Sequence, residues 1–150
     1  LDADQSAAAT WKSLVSVLEH SGYTDLPTAP NPEGTIIESP DHDLFPKVGV
    51  WIMPDNINSG EIEDFFLQLI DSEDFRLNHA RKSVKELINQ KPDLLAASNR
   101  SKAEVHTWLA WQKEPGRLMG IAVKNNWTKV HHKLAENLTR WFSNTFELED

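Results

Sequence analysis

Two aspartates two residues apart, Asp2 and Asp4, stand at the start of the sequence. Carboxylate oxygens are the donors that Mg²⁺ and Mn²⁺ prefer. At the carboxyl edge of a parallel sheet, where a strand turns toward a helix, such a pair can converge on one ligand. A solvated turn is the plainer explanation of the same two residues. A second acidic constellation is Pro54-Asp55-Asn56 followed by Ser59-Gly60-Glu61-Ile62-Glu63-Asp64. A helix starting there would favour Glu61, Glu63 and Asp64 through its dipole alone. That account leaves Asp55 and Asn56, which precede the first turn, unexplained. Third is Arg100-Ser101-Lys102. A lysine at the positive end of a helix dipole is mildly unfavourable. Beside carboxylate-bound cations, such an ammonium could neutralise charge developing on a phosphoryl group.

His131-His132 has the residue type of a metal site but not the spacing. Adjacent helical positions lie about 100° apart, so the pair cannot chelate one ion as an i, i+4 pair would. With Lys129 and Lys133 nearby it reads as a solvated basic face. His106 reads as a half-buried packing residue, and Trp108, Trp111 and Trp141 as core. The sequence has no Gly-rich dinucleotide fingerprint, Walker A, H-E-x-x-H or G-x-S-x-G motif. Cysteine is absent, which excludes disulfide scaffolds, cysteine nucleophiles and thiolate metal sites.

Charge is divided along the chain. From Leu1 to Phe75 two bases stand against fifteen acids, and from Arg76 to Arg140 thirteen bases stand against five. The net charge of −8 argues against indiscriminate nucleic-acid binding. The asymmetry instead allows an acidic half that holds divalent cations and a basic half that holds polyanions. Mutual attraction of the halves within one fold is the simpler alternative. Mean hydropathy of −0.49, no apolar run near the roughly 18 residues of a membrane span and an acidic N-terminus lead us to expect a cytoplasmic chain without membrane contact.

These residues need elements to position them. Trp11, Leu14, Val15 and Leu18 predict a helix ending near Ser21-Gly22. Prolines make 25–34 irregular. Thr35–Glu38 is a short strand, and the β-branched run Lys47–Met53 fits a strand buried on both faces. A helix capped by Ser59 or Gly60 carries Ile62, Phe65, Phe66, Leu69 and Ile70, and another covers 74–89. Ser101 with Glu104 has capping-box spacing and opens a third, stopped by Pro115-Gly116. The last runs from about Thr128, with Val130, Leu134, Leu138, Trp141 and Phe142 on one stripe. The expectation is a single α/β layered domain over 1–150.

Taken in order, Leu1-Asp2-Ala3-Asp4, the block Val48-Gly49-Val50-Trp51-Ile52-Met53-Pro54-Asp55-Asn56, Gly60-Glu61-Ile62-Glu63-Asp64-Phe65-Phe66, and Lys102 with His106-Thr107-Trp108-Leu109-Ala110-Trp111-Gln112 resemble a Toprim domain. The likeness is to Toprim-like bacterial proteins of unassigned function related to the nuclease domain of the OLD (overcoming lysogenization defect) family. It implies a Rossmann-like fold, a mainly parallel sheet flanked by helices, with a helix-rich C-terminal half. It also implies that Asp2, Asp4 and Glu63 are ligands of Mg²⁺ or Mn²⁺, and that Lys102 and Glu63 are catalytic. Asp55, Asn56, Gly60 and Glu61 are further candidates. The pattern's upstream glutamate has no counterpart, so the first strand–helix unit is expected to be missing and the chain as given to be inactive.

The function that follows is divalent-metal-dependent phosphoryl transfer, with a nuclease cutting phosphodiester bonds as the expected form and nucleic acid as the partner. Self-association stays open. The alternative is a catalytically silent module that binds a partner protein or a small phosphorylated ligand. Either way, Asp2, Asp4 and the Asp55–Glu63 loop are expected on one edge of a parallel-rich sheet.

Overall fold

The computed structural model describes residues 1–41 and 44–148, and they form two compact units. The first comprises Leu1–Phe65 and His131–Asp150, the second Phe66–Val130.

In the first unit, helix α1 (Ala7–His20) starts where the Ser6 hydroxyl accepts the Ala9 amide at 3.2 Å. Its Ala7, Trp11 and Leu18 recur at helical spacing and are buried. They pack in one core with Ala3, Tyr23, Ile37, Val50 and Ile52. Strands β1 (Thr35–Ile37) and β2 (Val48–Val50) pair antiparallel, with Ile36 opposite Gly49. The final helix of the chain, α6 (Lys133–Phe146), packs on this hairpin through Trp141, whose indole N–H donates to the Thr35 carbonyl at 3.1 Å.

The mainly parallel Rossmann-like sheet implied by the resemblance does not form. Among the described residues the sheet has two strands, both antiparallel, and helices dominate. The reason lies in the connection. A parallel crossover needs a dozen or more residues, usually a helix. Only ten residues separate β1 from β2, and Pro40 and Pro46 lie among them. The Lys47–Met53 run therefore returns as a hairpin arm, and its strand is confined to Val48–Val50. Parallel pairing survives at one bridge, Asp2 with Met53.

Helix α2 (Ile62–Leu69) leads from the first unit into the second. There α3 (Phe75–Gln90) is capped by Asp74, which accepts the Leu77 amide at 2.9 Å. Helices α4 (Arg100–Ala110) and α5 (Met119–Lys124) complete the unit. Phe66, Ile70, Leu77, Ala80, Val105, Trp108, Leu109 and Ala122 form its core. The expected capping box at Ser101 is replaced by a different use of Glu104. This buried carboxylate accepts Arg100 Nε at 2.8 Å and pairs with Arg81 Nε at 3.5 Å. α6 begins five residues later than expected, because the His132 ring nitrogen accepts the Leu134 amide and caps the helix. No helix among the described residues is long and apolar enough to cross a membrane.

Candidate functional site

The segment Leu1–Asp4 runs between Met53 and Gly60, and backbone hydrogen bonds hold it on both sides. The Met53 amide donates to the Leu1 carbonyl at 2.7 Å. The Ala3 amide is shared between the Met53 and Gly60 carbonyls at 3.0 Å each, and Asp4 and Gly60 exchange a reciprocal pair at 3.0 and 2.9 Å. Ala3 enters the core while Asp2 and Asp4 both stay exposed. The two acidic constellations thus meet as expected, within the first unit. What brings them together is a pair of isolated bridges and not the edge of a parallel-rich sheet.

Each acidic group has a distinct environment. Asp2 Oδ1 accepts the Ile62 amide at 3.1 Å, so a carboxylate sixty residues away caps α2, the role expected of Ser59 or Gly60. Asp4 has a left-handed backbone, φ +50°, which aspartate tolerates better than most residues. Asp55 closes a tight turn by accepting the Ile57 and Asn58 amides at 3.1 and 2.8 Å and the Asn58 side chain at 2.6 Å. Burial pushes its carboxyl up, but these hydrogen bonds together outweigh burial and hold it below the ordinary value. Asn56 is buried and bonded to Ile52. Asp64 Oδ2 accepts the Glu61 amide at 2.9 Å and lies where a Cβ on Gly60 would fall. Gly60 itself has φ +137°, a conformation open to glycine.

Glu63 differs from the others. It lies in the first turn of α2, only 6% exposed, and no hydrogen bond or ion pair engages its carboxylate among the described residues. Its oxygens and those of Asp2 and Asp4 suit a hard dication by donor type. Their arrangement does not yet answer to one: among the described residues no three His, Asp or Glu side chains form a group that could hold a metal ion. Lys102 stands exposed on α4 in the second unit.

Two aromatic assignments change. Trp108 is core as expected, but Trp111 is 39% exposed and belongs to a surface stack with Phe75 and His79. His106 is exposed, not half-buried. The i, i+4 spacing of Phe75 and His79 was the available signal for that stack; a stripe on a helix does not say what covers it.

Fold and site define a helix-rich protein of two units, with an acidic turn organised around Asp2, Asp4 and Gly60. The chain belongs to the family described as protein of unknown function (DUF3226), whose model matches residues 1–147. No curated protein and no solved structure matches it.

Proposed function

We propose that the Asp2–Asp4 and Gly60–Glu63 turn is the cation-binding part of a Mg²⁺- or Mn²⁺-dependent phosphoryl-transfer enzyme, a nuclease acting on phosphodiesters. The observation that carries this reading is Glu63, a largely buried residue whose carboxylate no hydrogen bond or ion pair engages among the described residues, next in the chain to Ile62, whose amide Asp2 accepts. A carboxylate on a largely buried residue, without a protein partner, is left to solvent or a cation to compensate its charge. Bound there, a dication would supply an activated water and stabilise the leaving oxygen. Asp4 and Glu63 would hold it, and Asp2 would join them by releasing the Ile62 amide. Charge supports a polyanionic substrate: the second unit carries eleven bases and seven acids, the first four bases and sixteen acids.

Thermal melting across a Mn²⁺ titration tests this. Wild type is expected to gain stability with rising Mn²⁺, as binding to the folded state requires. Asp4→Asn and Glu63→Gln should lose that gain. Equal shifts in all three proteins would remove the cation site.

Two observations favour the silent-module alternative. Asp2 is already engaged as a helix cap, and the acidic side chains are not gathered into a metal-holding group. Under that reading Mn²⁺ leaves the melting temperature unchanged while binding of a partner protein or a small phosphorylated ligand persists.

A further inference from the structure

Phe75, at the first position of α3, leaves 80% of its surface in solvent. Its ring stacks on His79 one turn later, with centroids 5.8 Å apart and planes only 8° from parallel. The His79 imidazole in turn meets the Trp111 indole at 5.1 Å. All three belong to the second unit and none enters its core, which Trp108 fills one helical turn before Trp111. The result is a continuous row of three conjugated rings on the surface.

The geometry points to this row as a stacking platform for the bases of a single-stranded nucleic acid. The inference rests on the nucleic-acid part of the function proposed above and names the form of the substrate. Charge selects this occupant over an apolar protein partner. The unit is net +4, in a chain that is net −8. Two carboxylates close to the row in sequence are engaged, Asp74 with Arg76 at 2.9 Å and Glu114 with Arg117 at 2.6 Å, while Glu73 has no ion-pair partner among the described residues. Lys82 lies one turn beyond His79 on the same stripe of α3, 70% exposed and loosely paired with Glu86 at 3.9 Å. Lys113, two residues past Trp111, has no ion-pair partner among the described residues. Aromatic faces flanked by cations bind successive bases with little regard to sequence. A duplex keeps its base faces stacked internally, so an open strand fits and a double helix does not.

Fluorescence anisotropy of a labelled oligothymidylate, in EDTA and with the full chain, reads the interaction without any cation. The expected result is binding stronger than to a duplex of equal length and weakened by added salt. Phe75→Leu keeps apolar bulk but removes the π face, and should weaken binding about tenfold. Phe75→Trp should restore it. Because Phe75 is exposed, both variants should melt as wild type does. Wild-type affinity in Phe75→Leu, or preference for duplex, would overturn the platform. So would concentration-dependent self-association that Phe75→Leu abolishes, since the row would then be an interface between copies. Failure here leaves the Mn²⁺ titration intact, and failure of that titration leaves this measurement intact.

Discussion

Asn56 and Ile52 hold each other by two hydrogen bonds of equal length. The Asn56 side-chain oxygen accepts the Ile52 amide at 2.7 Å, and the Asn56 amide donates to the Ile52 carbonyl at 2.7 Å. Both residues are buried, and Asn56 sits at φ +66°, where asparagine is better tolerated than most side chains. The pair fixes where the buried run after β2 turns toward the acidic loop.

Asn56→Ala removes the acceptor and strands a fully buried amide, an omission that costs about 1–3 kcal/mol. The left-handed backbone adds to this for alanine. Urea unfolding should show a lower midpoint with an unchanged slope. Asn56→Gly relieves only the backbone part and should recover a fraction of the loss. A midpoint equal to wild type in Asn56→Ala would show that the pair does not hold the turn.

Much of this was legible from residue type and spacing, and the misses have physical causes. Trp11 and Leu18 marked the buried side of α1, and Asp74 stood at the start of α3, because both signals are local. The expectation that Asp2 and Asp4 share an edge with the Asp55–Glu63 loop is met only as an isolated antiparallel bridge of Asp4 with Gly60, without the parallel-rich sheet. Sheet direction was not, because it depends on what the segment between Ile37 and Val48 can span. Asn56 reads as a possible ligand in sequence, which shows an amide but not that its oxygen faces the Ile52 amide. Trp111 reads as core for a similar reason: helical spacing assigns a face, and only the neighbouring helix decides whether that face is covered.

The acidic turn separates structural from ligand-directed carboxylates. Asp2→Ala loses the α2 cap and should cost about 1 kcal/mol without metal. Glu63→Gln removes a charge that has no protein partner among the described residues, so metal-free stability should hold or rise. Asp4→Asn keeps a residue tolerated at φ +50° and relieves repulsion, with the same expectation. Melting in EDTA checks all three. A large loss in Glu63→Gln would identify a structural role for that carboxylate.

Asp74 links stability to pH. Burial pushes its carboxyl up, but hydrogen bonds from Arg76, the Leu77 amide and the Trp108 indole together outweigh burial and hold it below the ordinary value. A carboxyl lowered on folding stabilises the native state fully above its unfolded pKa, about 3.9. That contribution fades as pH falls from there through the folded value. Asp74→Asn should therefore destabilise at pH 7 and flatten the acid limb of the stability profile below pH about 4. Parallel acid limbs in wild type and Asp74→Asn, from denaturant titrations at stepped pH, would refute the linkage.

The hairpin and α6 meet through two glycines that leave no room for a side chain. Gly34 has φ +95°, and a Cβ there would overlap the Trp141 ring. A Cβ on Gly49 would lie 2.5 Å from Thr145. Trp141 is further held by its bond to the Thr35 carbonyl and by its tilted contact with Trp51 at 5.7 Å. It has little freedom to retreat. Overpacking typically costs about 1–3 kcal/mol, and at Gly34 the backbone conformation adds strain that Gly49 escapes. Gly34→Ala should therefore destabilise more than Gly49→Ala. The overlap can be isolated by a double-mutant cycle with Trp141→Ala. Once the indole is gone, adding Gly34→Ala should cost the backbone part and only the residual contact with the Cβ of residue 141 at 2.8 Å, making the double variant more stable than the two single losses predict. Strict additivity would mean that the Gly34 backbone, and not its contact with α6, sets the requirement for glycine.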